Sequence, residues 1–192
     1  MYKNEPIDDT DDIYDADGTT PRTGKITRYN QNGQLTQTIQ HENTGLELYR
    51  QPNYVTENNN GDVVVSDYES AVVVTERGGR HRFSYTGHPP GSNLGPLGIC
   101  TDAMSHILVC CKVTETIHIL DKNGKYLFHL AGKIQGIGEP VSLSYDVNAH
   151  HIWVGSPFIE NITENDNLQD EHSPRPDEET LSCSTQAVEW RI

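Results

Sequence analysis

The chain has 192 residues, 34% apolar and 22% charged, which is length enough for one domain and slightly less apolar content than a dense core uses throughout. Its 28 acidic and 14 basic side chains give a net charge of −14, and this disfavours nonspecific binding to DNA or RNA unless a basic face is set apart. No run approaches the roughly 18 apolar residues of a membrane helix, and the acidic start has neither the basic lead nor the apolar centre of a secretory signal. The expectation is therefore a cytoplasmic chain with no membrane partner.

Residues 1–23 hold seven acids against Lys3 and Arg22, and acids, prolines and small polar residues bury too little surface to offset chain entropy. This stretch is expected to be disordered or a long loop. A calcium loop is not written in it. With Gly18 as the invariant glycine of such a loop, ligand positions fall on Ile13, Asp15 and Asp17 and the closing acid falls on Gly24.

Residues 24–156 carry a charge of only −2 and read as hairpins. KITRYNQNGQLTQTIQ (25–40), AVVVTERGGRHRFSYTG (71–87) and TIHILDKNGKYLFHLAG (116–132) are one hairpin type, with turns at Asn32-Gly33, Gly78-Gly79 and Asn123-Gly124. Such pairs suit two-residue turns of positive φ. PNYVTENNNGDVVVSD (52–67), PLGICTDAMSHILVCC (96–111) and PVSLSYDVNAHHIWVG (140–155) are a second type, whose opening prolines Pro52, Pro96 and Pro140 lie 44 residues apart. Each runs from a short alternating strand through a polar turn into an apolar run.

Four strands per period of 44 to 46 residues are the mark of a β-propeller blade. Val63-Val64-Val65 and Ile107-Leu108-Val109 are apolar on both faces, as inner strands between neighbouring blades must be. The count is a second hairpin, two whole blades at 52–87 and 96–132, and a first hairpin. The fold class is all-β: a partial propeller of four-stranded antiparallel blades, about three blade equivalents, with disordered acidic ends. Closed propellers have about four to eight blades, so two outer faces rich in Val, Ile and Leu are expected to meet water, with self-association through open blade edges.

Residues 157–192 hold nine acids against Arg175 and Arg191 and are expected to be a disordered tail. Within it Asn161-Ile162-Thr163 is a sequon left unused without a secretory signal, and Ser173-Pro174 is an exposed phosphorylation candidate. Cys100, Cys110, Cys111 and Cys183 show no C-x-x-C spacing, so neither a zinc site nor a redox pair is written. Cys110-Cys111 and His150-His151 are adjacent strand residues that point to opposite faces. No G-x-S-x-G elbow is present. The reading assigns no metal, no cofactor and no catalytic residue, and the chain is not expected to be an enzyme.

TGKITRYNQNGQLTQTIQHENTGLELYRQPNYVTENNNGDVVVSD, VVVTERGGRHRFSYTGHPPGS and GICTDAMSHILVC closely resemble the NHL-repeat propeller at the C-terminal end of tripartite-motif proteins, in particular the expanded set of molluscs. The resemblance runs from about residue 23 to residue 156 and implies the last half of a six-bladed ring. It also implies a segment that holds protein clients for a RING-type ubiquitin ligase in a longer parent. RING, B-box and coiled coil are absent from this sequence, so ubiquitin transfer by the chain itself is not expected. In the family an aspartate ends the second strand of a blade; it stands here as Asp67, while Cys111 and Gly155 occupy the next two places. The segment SPFIENITENDNLQDEHSPRPDEE (156–179) is not expected to supply the closing strands.

Loops between blades and between second and third strands share one propeller face, where Tyr49, Arg50, Tyr68, His88 and Lys112 form the expected protein-binding set. The alternative implied by the resemblance is RNA binding through Arg77, Arg80, His81 and Arg82. With Glu76 beside that cluster, a solvated turn is the favoured reading. A truncated product with no function of its own is the third reading.

Overall fold

The computed structural model describes residues 23–131 and 138–157, together with the backbones of Tyr2–Lys3 and Ser184–Val188. Their strands form four antiparallel sheets. The first holds β1 (Tyr2–Lys3), β2 (Ile26–Tyr29) and β3 (Leu35–Ile39). The second holds β4 (Pro52–Glu57), β5 (Val63–Asp67), β6 (Ala71–Thr75) and β7 (His81–Tyr85). In the third are β8 (Pro96–Thr101), β9 (Ile107–Cys111), β10 (Thr116–Leu120) and β11 (Tyr126–Ala131). The fourth holds β12 (Ser142–Asp146), β13 (His151–Ser156) and β14 (Ser184–Val188).

The two complete blades stand where the repeats place them. Each end sheet gains one strand from a stretch expected to be disordered, β1 pairing with β2 and β14 with β13. The other residues of 1–22 and 158–192 lie outside the described residues, and with them Asp9–Asp17, the sequon at Asn161 and Ser173-Pro174.

Three apolar seams join the sheets. Ile26, Ile39, Leu48 and Tyr49 meet Val63, Val65, Ala71 and Val73 across the first. Val64, Val72 and Val74 meet Ile107, Val109, Cys111 and Leu120 across the second, and Leu108, Cys110, Ile117 and Ile119 meet Ile152 and Val154 across the third. Successive residues of β5 and β9 thus serve opposite seams, because side chains alternate along a strand. This is why Val63-Val64-Val65 has no polar member, and why Cys110 and Cys111 sit in different cores.

The strands that bound the arc are written differently. Thr27 pairs with Thr38 on the side of the first sheet away from the core, and Ser142 and Ser144 of β12 pair with Gly155 and Trp153 of β13. Trp153, 42% exposed, is the large apolar side chain there. The expectation that both outer faces are rich in Val, Ile and Leu is therefore corrected: Thr27, Thr36 and Thr38 stand on that side of the first sheet and Ser142 and Ser144 on that of the fourth, while Ile26, Ile39 and Leu143 face a neighbour.

The turns are also longer than the dipeptides suggested. In six loops the first residue's amide donates to the carbonyl four positions on, and the fourth residue's amide donates back to the first carbonyl: Asn30–Gln34, Glu42–Leu46, Asn58–Asp62, Glu76–Arg80, Asp102–His106 and Asp121–Lys125. Each is a three-residue loop in which only the last residue has positive φ, namely Gly33, Gly45, Gly61, Gly79, Ser105 and Gly124. Asn32, Gly78 and Asn123 have no positive φ, so the two-residue turns read from the sequence give way to a turn followed by a left-handed residue.

The first strands of the third and fourth sheets approach closely at Gly98, whose amide donates to Val141 O at 3.0 Å. A Cβ there would stand 2.5 Å from Ser142 Cα and 2.7 Å from Val141 O. Gly98→Ala is expected to destabilise the chain by about 1–3 kcal/mol through overpacking against backbone. Gly78→Ala, with nothing within 4 Å of the added Cβ, is expected to stay within about 0.5 kcal/mol of the parent. Urea unfolding of the two variants checks this, and equal effects would refute the close approach.

Candidate functional site

The connections β5–β6, β7–β8 and β9–β10 gather at one end of the second and third sheets. Tyr68 leaves β5 and Lys112 leaves β9, and Lys112 Nζ donates to Tyr68 Oη at 2.9 Å while lying 5.3 Å from the ring centre. The phenol bond holds the Lys112 ammonium above its ordinary pKa, with Glu139 adding a smaller effect. A cleft of about 550 Å³ opens beside the pair, lined by Tyr68, Glu69, Asn93, Gly95, Lys112 and Val113.

His88, in the β7–β8 connection, is exposed and stacks on Tyr126 of β11, rings 4.1 Å apart and 3° from parallel. Tyr126 Oη meets His129 Nδ1 at 2.6 Å. Behind them His118 is 4% exposed. Its Nδ1 receives the Tyr85 hydroxyl at 2.8 Å, and Nε2 faces Thr114 Oγ1 at 3.4 Å. Burial first, then His129 and His88, lower the His118 pKa to about 4.

Asp67 organises the connection before β4. Its carboxylate accepts the Arg50 amide at 2.7 Å, the Gln51 amide at 2.5 Å and the Ser70 hydroxyl at 2.8 Å. It therefore ties down the incoming connection as well as the turn that follows it. Arg50 is thereby held with its side chain exposed.

Four of the five residues expected on this face, Arg50, Tyr68, His88 and Lys112, are exposed or half-buried there. Tyr49 is not. It is 1% exposed within the first seam, and burial pushes its phenol above the ordinary value. The reason is the apolar pocket made by Ile26, Val63 and Val65, which claims the ring and sets its hydroxyl near Thr75.

The basic cluster lies at the opposite ends of the strands, and each member faces a carboxylate. Arg77 pairs with Glu57 at 3.5 Å, Arg80 with Glu76 through Nε at 2.9 Å, and His81 with Glu42 at 3.3 Å. Arg82 pairs with Asp62 and also reaches Asn123 Oδ1 at 3.1 Å. Asn93 of the cleft, and Tyr126 and His129 beside His88, are residues that the sequence did not single out. His88 and Tyr126 are far apart in the chain, so no local spacing announces their stack.

Among the described residues no group of three or more His, Cys, Asp or Glu is placed to hold a metal ion. His150 stands in a turn with φ of 55° and its Nδ1 meets Tyr145 Oη at 2.7 Å. Burial pushes the Cys100 thiol up to about 12 and raises that of Cys110 as well, so neither supplies a thiolate at neutral pH.

No protein-family model matches the chain, and no curated protein sequence does. Solved structures match it. A streptogramin B lyase aligns at 18% identity and TM-score 0.51 over 68% of this chain and 40% of its own. Virginiamycin B lyase from Staphylococcus aureus aligns at 15% and 0.51 over 77% and 50%. Regucalcin, a calcium-binding protein from Agrobacterium tumefaciens strain C58, aligns at 15% and 0.51 over 75% and 47%. The fold is a partial β-propeller. The chain spans half or less of the length of these three structures, and at such identities the likeness is one of fold.

His118 supplies a pH test of the blade seam. The unfolded ring takes up a proton near 6.5 and the folded one only near 4, so the unfolded state binds more protons between those values and stability falls as pH drops through them. The melting temperature is expected to decline over that window and to decline less in His118→Gln. Parallel pH profiles for parent and variant would show that the ring titrates freely.

Proposed function

We propose that this chain is a noncatalytic recognition segment, part of an NHL-type propeller of the tripartite-motif kind. In a longer parent it would hold protein clients for a RING-type ubiquitin ligase. The observation that carries this reading is the Tyr68–Lys112 pair, joined from two sheets beside one cleft, together with the exposed His88 of the β7–β8 connection stacked on Tyr126. Aromatic and cationic side chains so placed are the usual anchors of a protein partner. The partial propeller fold supports the reading, as do the quoted segments that resemble the NHL repeats.

RNA recognition by the same molecule is less well supported. Free cationic groups are what draw phosphates, and Arg77, Arg80, His81 and Arg82 all face carboxylates. Single-stranded RNA is expected to bind weakly and to be released at physiological salt. Submicromolar binding lost in Arg80→Ala plus Arg82→Ala would overturn the ranking.

The recognition reading is checked by photo-crosslinking the purified chain in extract. A discrete set of protein adducts is expected, reduced several-fold by Tyr68→Ala or His88→Ala and unchanged by Arg77→Ala on the opposite side. Adducts indifferent to all three changes would refute recognition by this face, and no adducts at all would favour a product without function of its own.

A further inference from the structure

The 44-residue repeat brings one position of the second sheet and one of the third into correspondence, and the chemistry differs between them. Tyr68 N donates to Gln51 O at 2.9 Å, and Lys112 N donates to Gly95 O at 3.2 Å. Leu94, Gly95 and Cys111 thus stand where Arg50, Gln51 and Asp67 stand one period earlier. Asp67 accepts the Arg50 and Gln51 amides. Cys111 Sγ instead donates to Leu94 O at 3.1 Å, and no described residue accepts the Leu94 or Gly95 amide. Buried amides without acceptors are rare, because each has given up its water.

Gly95 is at the same time part of the cleft, with Asn93 and Lys112 beside it. We propose that this cleft takes a carboxylate from a peptide partner, held by the Leu94 and Gly95 amides and by Lys112, in the manner in which the Arg50 and Gln51 amides hold the Asp67 carboxylate one blade earlier. Two successive amides match the two oxygens of one carboxylate, as those of Arg50 and Gln51 do, and Lys112 Nζ has donors to spare beyond its bond to Tyr68. Glu69 stands exposed on the rim and Glu139 acts on Lys112 from nearby. Both repel an ion of higher charge, so a single carboxylate is favoured over a phosphate. Tyr68 and Val113 give the adjoining residues of the peptide apolar wall.

This proposal rests on the recognition reading but is tested apart from it, with probes too small to need the rest of the face. Amide resonances of the ¹⁵N-labelled chain are followed against three blocked tripeptides: acetyl-Gly-Asp-Gly-amide, acetyl-Gly-Gly-Ala with a free C-terminal carboxylate, and acetyl-Gly-Asn-Gly-amide. Saturable shifts at Leu94 and Gly95 are expected with one or both acids and not with the Asn peptide. Which acid binds tells a side-chain carboxylate from a chain terminus. Lys112→Gln is expected to weaken binding about tenfold, the loss of one charge-assisted hydrogen bond. Cys111→Asp supplies the missing carboxylate internally, so its Leu94 and Gly95 resonances should be displaced without probe and indifferent to it. Should that variant not fold, the Lys112→Gln comparison decides.

Unmoved Leu94 and Gly95 resonances with both acids would overturn the proposal. So would equal shifts with the Asn peptide, undiminished binding in Lys112→Gln, or a folded Cys111→Asp variant that binds as the parent does. None of these results bears on crosslinks lost through Tyr68→Ala or His88→Ala, so the two readings fail separately.

Discussion

The burial of β5–β6 and of β9–β10 between neighbouring sheets is the constraint on which the other features depend. A strand sandwiched on both sides favours apolar side chains, and Val63 to Val65 and Ile107 to Cys111 are apolar throughout with at most 1% of any side chain exposed, while the buried Asp67 and His118 are hydrogen-bonded. Once those strands are fixed, their ends are fixed too. Tyr68 and Lys112 each follow directly on one of them, which is how residues 44 apart in sequence come to share a hydrogen bond of 2.9 Å. The proposed recognition face is in this sense a by-product of core packing, set by where two strands stop.

Electrostatics divides the two ends of the strands. At the end of the three-residue loops, carboxylates and cations are paired within and across blades, as in Glu57 with Arg77 of its own blade and Arg28 of the preceding sheet, and Asn59 reaches the Asp102 and Ala103 carbonyls of the next sheet. Bonds of this kind are exposed and individually weak, yet they use up the donors and acceptors a ligand would need. At the other end the contacts are aromatic, and the donors of Lys112 and Asn93 border open space. A basic run in a sequence and a cationic surface are therefore not the same thing, and the cluster around Arg80 is the example.

The sequence made the strands legible because both periodicities it contains, alternation within a strand and 44 residues between blades, are backbone properties. It showed which hairpins were whole and which turns joined them, but not the turn type, since Asn-Gly is compatible with positive φ at both residues or at the glycine alone. It put Tyr68, His88, Arg50 and Lys112 in loops at one end of the sheets, because loop position follows from strand order. Tyr49 escaped that logic. It lies one residue before Arg50, where a connection turns inward, and whether a ring there meets water depends on the cavity beneath it, made by Ile26 and Val65 from other hairpins. The third strand of each end sheet was invisible for a related reason: Tyr2–Lys3 and Ser184–Val188 are recruited across long polar stretches with no turn to announce them.

The unequal closing residues of the blades also bear on how the chain finds its fold. Near-identical modules invite a strand to settle into the slot of its neighbour one period away, a characteristic hazard of repetitive architectures. Here such a slip is penalised. Cys111 in the second module's slot would leave the Arg50 and Gln51 amides without the acceptor that Asp67 supplies. The second module therefore accepts its own second strand more readily than its neighbour's, and a change of one side chain per period serves as an address.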